Sequence, residues 1–214
     1  MTIESENNHD LATLPAAAVA ALTTEHFVLQ TARSAAISDT NGRTSLYLSS
    51  VSSALIALAF VGQASRFGGA FYVTGLTILP ALIFVGYATF ERAIQTSIED
   101  LAYARRISRI RSYYRRGSAV LTNLLAAPGD ATGVGIMREL GITNLWWQNL
   151  VAIAGVVGVI NSMIFGATVG LLVNISTDSL VASAISGVVA ALAAFVAHVA
   201  RQRALWRRAE ASNG

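Results

Sequence analysis

The sequence predicts an all-α, polytopic membrane protein in which four transmembrane helices form two hairpins, accompanied by amphipathic helices on the cytoplasmic side. The first observation is composition: 54% of the 214 residues are hydrophobic and 13% are charged, whereas soluble domains contain about 25% charged residues. The second is a set of four apolar stretches of membrane-spanning length. The third is the unequal distribution of arginine among the segments that connect these stretches.

Four stretches are long enough to span a bilayer, because about 20 apolar residues cross roughly 30 Å of hydrocarbon. Residues 44–65 and 67–90 carry no charge, the third span lies within the uncharged run 140–177, and residues 179–200 contain one histidine. The connections between spans one and two and between spans three and four are short, which predicts two hairpins. The predicted organisation is a cytoplasmic N-terminal arm with a short helix (1–43), a transmembrane hairpin (44–90), a cytoplasmic basic helix and loop (91–144), a second transmembrane hairpin (145–200) and a basic cytoplasmic tail (201–214).

The arginines predict the orientation of the spans. Eight arginines lie between spans two and three and four follow span four, whereas the two short turns together contain one, Arg66. Arginine and lysine are retained in cytoplasmic loops. We therefore expect a multi-pass protein of the bacterial cytoplasmic (inner) membrane, with both termini and the central segment in the cytoplasm.

The central segment begins with a predicted amphipathic helix. Apolar residues recur at steps of three or four from Phe90 to Tyr114, which is typical of a helix with one apolar face. We expect this helix to continue from span two and to end at Gly117. Its apolar stripe needs a partner, and two alternatives stay open: lipid, or the N-terminal helix Glu25–Ser38, which is predicted to precede a turn at Asn41-Gly42.

Six arginines and no acid occupy the fifteen residues from Tyr103 to Gly117. Because this segment connects two membrane spans, the lipid bilayer and its anionic headgroups are the first expected partners. A cytosolic protein or a nucleotide ligand is the alternative, and nucleic acid is disfavoured. The predicted contacts with anionic lipid or phosphate are Arg105, Arg106, Arg109, Arg111, Arg115 and Arg116.

Span three carries a ridge of small residues at every fourth position, which places them on one helix face. Such faces let helix backbones approach closely in lipid. The ridge is predicted either to pack against span four or to form the subunit interface of a homo-oligomer, and packing within the chain is favoured. Its members are Ala154, Gly158, Ser162, Gly166 and Gly170. Asn161, a polar residue near the middle of the same span, is expected to hydrogen-bond to another helix.

The sequence contains no pattern typical of an enzyme. No Asp, Glu or Arg lies in the core of a predicted span, which argues against a proton- or ion-coupled transporter. The three histidines are far apart in sequence, and the loop Ala126–Gly135 lacks the spacing and the lysine of a phosphate-binding loop. We therefore expect no catalytic residue, no metal site and no cofactor.

Two stretches of the sequence, and the order of the predicted elements, each resemble a group of bacterial membrane proteins. EHFVLQTARSA and ATFERAIQTSIEDLAYARRISRIRSYY are similar to stretches of uncharacterised bacterial four-span integral membrane proteins. An N-terminal helix ending near DTNGR, a transmembrane hairpin and a long charged helix resemble the layout of the transmembrane-hairpin effectors of bacterial nucleotide-signalling defence systems. That second resemblance covers about half of the chain, rests on layout and assigns no nucleotide-binding residue. Spans three and four depart from it.

The expected function follows from these features. We expect a non-enzymatic, self-associating inner-membrane protein that presents a sensing or interaction surface to the cytoplasm. The alternative is a pore-forming or membrane-disrupting effector or channel that is gated by a cytosolic ligand or partner.

Overall fold

The computed structural model describes residues 15–116 and 152–211, and every regular element in these two ranges is an α-helix. Each of the four helices contains an apolar window long enough to cross a membrane. The prediction of an all-helical chain with four helices of membrane-spanning character is therefore confirmed. The helices are α1 (Ala16–Ala64), α2 (Gly69–Arg116), α3 (Ile153–Thr177) and α4 (Leu180–Ala211). Gly117, the loop Ala126–Gly135, Arg138 and the side chains of Arg115 and Arg116 lie outside the described residues.

Helix α1 is continuous through the position where the sequence predicts a turn, so the prediction of a turn at Asn41-Gly42 is wrong. Side-chain contacts on both sides explain the continuity. Arg43 donates a hydrogen bond to Asp39 one turn earlier, at 2.9 Å, and the hydroxyls of Thr40 and Thr96 lie 2.6 Å apart in a buried contact. Glycine inside a helix costs about 1 kcal/mol relative to alanine, and these contacts offset that cost.

The chain divides into two compact units, and the first comprises residues 1–38 and 97–145. Its described part, named here the two-helix unit, consists of residues 16–38 of α1 and 97–116 of α2. Its core contains Leu29, Ile107 and Ile110, with Leu22, Tyr103 and Tyr114 packed against them. The part of the apolar stripe from Tyr103 to Tyr114 therefore packs on the N-terminal helix, which for this part is the second of the two alternatives that the sequence leaves open.

Polar contacts also join the two helices of this unit. Arg33 donates two hydrogen bonds to Asp100, from Nε to Oδ1 and from Nη2 to Oδ2, the second at 3.1 Å. This hydrogen-bonded carboxylate raises the pKa of Arg33 above its usual value. The hydroxyls of Thr23 and Tyr114 lie 3.1 Å apart. The bidentate geometry fixes the register of the pair more specifically than the apolar core does.

The second unit comprises residues 39–96 and 146–214. Its described part, named here the four-helix unit, contains residues 39–64 of α1, 69–96 of α2, and the helices α3 and α4. Helices α3 and α4 pack against each other at a point where glycine faces glycine. A Cβ atom built on Gly166 would lie 2.5 Å from the carbonyl oxygen of Gly187, and one on Gly170 would lie 3.1 Å from the carbonyl oxygen of Ser183. Glycine is required there because backbone meets backbone.

The outer surface of α4 in the four-helix unit is apolar. The 18-residue apolar window of α4 has no buried residue, and its large side chains are exposed to at least 59% of their area: Leu180, Val181, Ile185, Val188, Val189, Leu192 and Val196. Soluble monomers rarely expose contiguous apolar patches larger than a few hundred Å². Together with the length of the four helices, this surface indicates a membrane protein.

The glycine contact between α3 and α4 yields a prediction. Gly166→Ala places a methyl group against the Gly187 carbonyl, so we expect a loss of stability of about 1–3 kcal/mol, as for other overpacked sites. Gly42→Ala is the matched control, because no heavy atom lies within 4 Å of its Cβ position and alanine favours the helix. Thermal unfolding in detergent micelles checks both variants. Equal melting temperatures for G166A and G42A would contradict the close packing.

Candidate functional site

A cluster of polar side chains lies inside the four-helix unit, named here the polar cluster. It consists of Tyr47 from α1, Asn161 and Ser162 from α3, and His198 from α4. Tyr47 is 1% exposed, and Asn161 and Ser162 are each 2% exposed. Buried polar groups are stable when they are hydrogen-bonded, so the connections within the cluster determine what it can do.

The hydrogen bonds of His198 define its tautomer. Nδ1 lies 2.8 Å from the carbonyl oxygen of Ala194, and a carbonyl accepts but never donates, so Nδ1 carries the hydrogen. In a neutral imidazole Nε2 is then an acceptor, and the amide nitrogen of Asn161, 3.5 Å away, donates to it. This orientation turns Oδ1 of Asn161 towards Tyr47, whose hydroxyl donates to it at 3.4 Å.

Ser162 completes the cluster on the side of Nδ1. Its hydroxyl donates to the carbonyl oxygen of Gly158 at 2.7 Å and lies 3.2 Å from Nδ1 of His198. Because the serine hydrogen is used by Gly158, the serine oxygen accepts a second, weaker bond from Nδ1–H. Every polar side chain of the cluster therefore has a partner, and one direction of donation runs from Tyr47 through Asn161 to His198.

Helix α2 contributes the wall of the cluster. A Cβ atom on Gly86 would lie 2.6 Å from the Tyr47 hydroxyl oxygen and closer still to Oδ1 of Asn161, so glycine provides the space for the amide. The ring of Phe90 packs edge-on against the ring of His198, with centroids 4.7 Å apart and an interplanar angle of 85°. A Cβ atom on Gly158 would lie 3.2 Å from the Phe90 ring. The cluster thus brings together side chains or backbone from all four helices.

An ion pair lies beside the cluster. Arg201 donates to both carboxylate oxygens of Glu91, at 2.7 and 3.2 Å. Glu91 follows Phe90 in sequence, and Arg201 follows His198 by three residues. The hydrogen bond from Arg201 lowers the pKa of Glu91 below its usual value, although partial burial of the carboxylate acts in the opposite direction. Bidentate guanidinium pairing also fixes the orientation of both side chains.

A second set of polar contacts joins α2, α3 and α4. The amide nitrogen of Asn174 donates to the hydroxyl of Tyr72, and the hydroxyl of Ser183 lies 3.2 Å from the amide oxygen of Asn174, to which it donates. These contacts lie at the C-terminal end of α3. The two asparagines of α3 therefore each hydrogen-bond to a tyrosine of another helix.

The residues predicted as a small-residue ridge lie mostly inside the protein. Ala154, Gly158, Ser162 and Gly166 are buried and Gly170 is half-buried. Gly166 and Gly170 face α4, whereas Gly158 faces Phe90 and His198. Whether this ridge also contributes to a subunit interface stays a prediction.

The predicted arginine contacts lie on the two-helix unit. Arg106 and Arg109 are exposed, and Arg105 and Arg111 are partly exposed. Within the described ranges no ion pair is formed by Arg105, Arg106 or Arg109. Contact with lipid or phosphate stays a prediction for these side chains.

Sequence reasoning identified Asn161 but missed its partners. On span four, small residues at four-residue steps (Ser186, Ala190 and Ala194) lead to His198, and this spacing is the one signal in the sequence for its inward position. Nothing in the sequence distinguishes Tyr47 from an interfacial aromatic residue, because the contact joins residues 114 positions apart. In the described part of the chain, no three His, Cys, Asp or Glu side chains lie close enough to share a metal ion.

The ion pair yields a prediction about pH. A carboxylate with a lowered pKa in the folded state contributes stability that is present above its unfolded pKa, about 4.3, and is lost as pH falls through the folded value. We expect wild type to melt at a higher temperature than Glu91→Gln at neutral pH, with a small difference because the pair is partly exposed. The difference should begin to shrink as the pH falls below about 4.3 and disappear only below the lowered pKa of folded Glu91. Thermal unfolding between pH 3 and pH 7 measures it.

Glu25→Gln is the control, since Glu25 is exposed and forms no ion pair within the described residues. A difference between wild type and E91Q that does not change with pH would contradict the ion pair.

Comparison of the chain with models of protein families, with curated proteins and with solved structures gives no match. The assignment of function therefore depends on the geometry of the two units.

Proposed function

We propose that this protein is a non-enzymatic integral protein of the bacterial inner membrane that self-associates and presents its two-helix unit to the cytoplasm as an interaction or sensing surface. The observation that carries the proposal is an exposed face of hydroxyl-bearing and small residues on the predicted membrane span of α1. Four helices of membrane-spanning length and the asymmetric arginines support the membrane location and the cytoplasmic orientation of both termini.

The exposed face lies opposite the buried side of α1. The buried side contains Thr40, Tyr47, Val51 and Leu58. On the other side Ser45, Ser49, Ser53 and Ala57 recur at four-residue steps, and all four are exposed. The face is named here the serine face. It is small enough for a second helix backbone to approach closely.

The hydroxyls of this face have no partner among the residues that the structure describes. Nearby Ser50 and Ser52 donate to the carbonyl oxygens of Leu46 and Leu48. Among the described residues, Ser45, Ser49 and Ser53 make no side-chain hydrogen bond. A hydroxyl in hydrocarbon costs free energy when it has no hydrogen-bond partner. Serine hydroxyls form hydrogen bonds across helix interfaces in membranes. A second copy of the chain supplies such partners, whereas lipid tails do not.

The two-helix unit supports the interaction surface. Its outward side chains include Phe27 and Val28, which are 73% and 52% exposed, together with the exposed Arg106 and Arg109. Exposed aromatic and cationic side chains on one unit suit a protein partner or an anionic surface. The anionic headgroups and the cytosolic protein or nucleotide that the sequence suggests remain the candidate partners.

The serine face also favours the alternative function. In an oligomer whose serine faces point to a common axis, the hydroxyls would line a polar path through the membrane, as in a pore-forming effector or channel gated by a cytosolic ligand. Conductance of the purified protein in planar bilayers distinguishes the two. Reproducible channels that disappear in Ser49→Leu support the pore, and an oligomer without conductance supports the interaction protein.

Self-association is tested with single cysteines, because the natural chain contains none. We expect Ser49→Cys to form disulfide-linked dimers in membranes under mild oxidation, since cysteine is similar to serine in size and the serine faces meet. Val196→Cys on α4 is the control, because Val196 is 64% exposed and lies outside the proposed contact. The readout is the dimer fraction by non-reducing electrophoresis.

Self-association through α1 would be contradicted if single-cysteine variants at positions 45, 49 and 53 all remained monomeric, or if S49C and V196C cross-linked equally.

A further inference from the structure

We infer that the C-terminal part of α4 carries a binding site for one anionic phospholipid, in which Arg203 and Arg207 hold the phosphate and the exposed valines that precede them contact the acyl chains. The inference rests on the membrane location that is part of the proposed function. It does not depend on self-association, because every residue of the site lies on one helix of one chain.

The site is a single face of α4, named here the outer face. Val189, Val196 and Arg203 follow one another at steps of seven residues, which is about two helical turns, so they lie nearly in line along the helix. Val189 and Val196 are 60% and 64% exposed. Arg203 and Arg207 are also exposed, and their spacing of four residues keeps them on the same face. The apolar outer face therefore ends in two neighbouring cations.

The opposite face of α4 is used inside the four-helix unit. Gly187 and Ala191 meet Gly166 of α3, and Arg201 donates to both carboxylate oxygens of Glu91 on α2. The preference of arginine for the cytoplasmic side treats all four arginines after span four alike. The structure instead separates Arg201, which pairs within the chain, from the two arginines of the outer face.

The two outward arginines carry charge without an acidic neighbour. Among the described residues neither Arg203 nor Arg207 forms an ion pair, and the sequence contains no acid between Asp178 and Glu210. Residues four apart on a helix have Cβ atoms about 5–6 Å apart, and each guanidinium has a planar set of donors that matches phosphate oxygens. One phosphate between the two side chains accepts from both and removes their mutual repulsion.

The direction of α4 brings these arginines to headgroup depth. The apolar part of the helix precedes them, and Cα–Cβ bonds in a helix lean towards its N-terminus, so both side chains lean back towards that part. At about 1.5 Å per residue, the Cα of Arg203 lies about 4.5 Å beyond that of Ala200, and each headgroup layer is about 5–8 Å thick. The half-buried Trp206 adds an amphipathic ring of the kind that is enriched at this depth.

A phospholipid fits the whole outer face better than free phosphate does. Its phosphate meets Arg203 and Arg207, and its acyl chains lie along Val189 and Val196, so one molecule covers the cationic and the apolar parts together. Free phosphate would meet the arginines alone. A zwitterionic lipid brings its own cation close to its phosphate, so an anionic lipid such as phosphatidylglycerol is the expected occupant.

The test measures lipid preference at the outer face itself. Val196→Trp provides a fluorescent reporter beneath the arginines, in a full chain whose natural tryptophans Trp146, Trp147 and Trp206 are replaced by phenylalanine. The chain is reconstituted in phosphatidylcholine liposomes with equal mole fractions of brominated phosphatidylglycerol or brominated phosphatidylcholine, whose acyl chains quench tryptophan on contact. We expect a preference for phosphatidylglycerol of about fivefold for each outward arginine, and its loss in R203Q/R207Q.

A matched pair of single variants separates the site from general surface charge. Arg208 is exposed like Arg207 and adjacent to it, but it is turned by about 100° around the helix. Arg207→Gln should therefore reduce the preference about fivefold, whereas Arg208→Gln should leave it close to that of the unsubstituted reporter chain. Equal losses in R207Q and R208Q, or a reporter chain without any preference, would overturn the inference.

Two further outcomes distinguish the sources of phosphate and the levels of the argument. Inorganic phosphate should reduce the preference no more than chloride of equal ionic strength does, and a specific loss with phosphate would overturn the assignment to lipid. If neither brominated lipid quenches and alkaline carbonate extracts the chain from the liposomes, the proposed membrane location fails together with the site. Equal quenching by both lipids contradicts the site alone.

Discussion

The buried amide of Asn161 is the interaction on which the four-helix unit depends. Its side chain is only 2% exposed, so its donor and its acceptor need partners on other helices. They do so at His198 of α4 and Tyr47 of α1, while α2 approaches the amide through Gly86, which has no side chain. One polar residue thereby specifies which faces of three neighbouring helices turn inwards. Apolar side chains in lipid cannot do this, because lipid solvates apolar surfaces as well as the protein interior does.

Close backbone packing supplies the rest of the specificity. The glycine pair Gly166 and Gly187 lets α3 and α4 approach closely, and the ion pair of Glu91 with Arg201 lies beside His198. A different arrangement holds the two-helix unit, which combines the apolar core of Leu29, Ile107 and Ile110 with the ion pair of Arg33 and Asp100. The chain therefore uses two kinds of packing, one suited to hydrocarbon and one suited to water, within the same long helices.

The sequence predicts the helical class, the four apolar stretches and the polar role of Asn161, because these depend on local composition and on helical periodicity. It predicts a turn at Asn41-Gly42 where α1 is continuous, since local turn preference is outweighed by contacts with Thr96 and Asp39 that no local pattern reveals. The partners Tyr47 and His198 could not be predicted for the same reason. Their contacts with Asn161 join residues 114 and 37 positions apart, and the pairing depends on how four helices are rotated.

The most direct test of the central role of Asn161 is hydrogen–deuterium exchange of the Asn161→Leu variant. Met163→Leu is the control, because Met163 lies two residues away and its side chain is 64% exposed. If the amide holds the helices together, N161L should exchange faster than wild type around Tyr47, Gly86 and His198 as well as in α3, while M163L behaves as wild type. Faster exchange confined to α3, or equal effects of the two variants, would contradict this account.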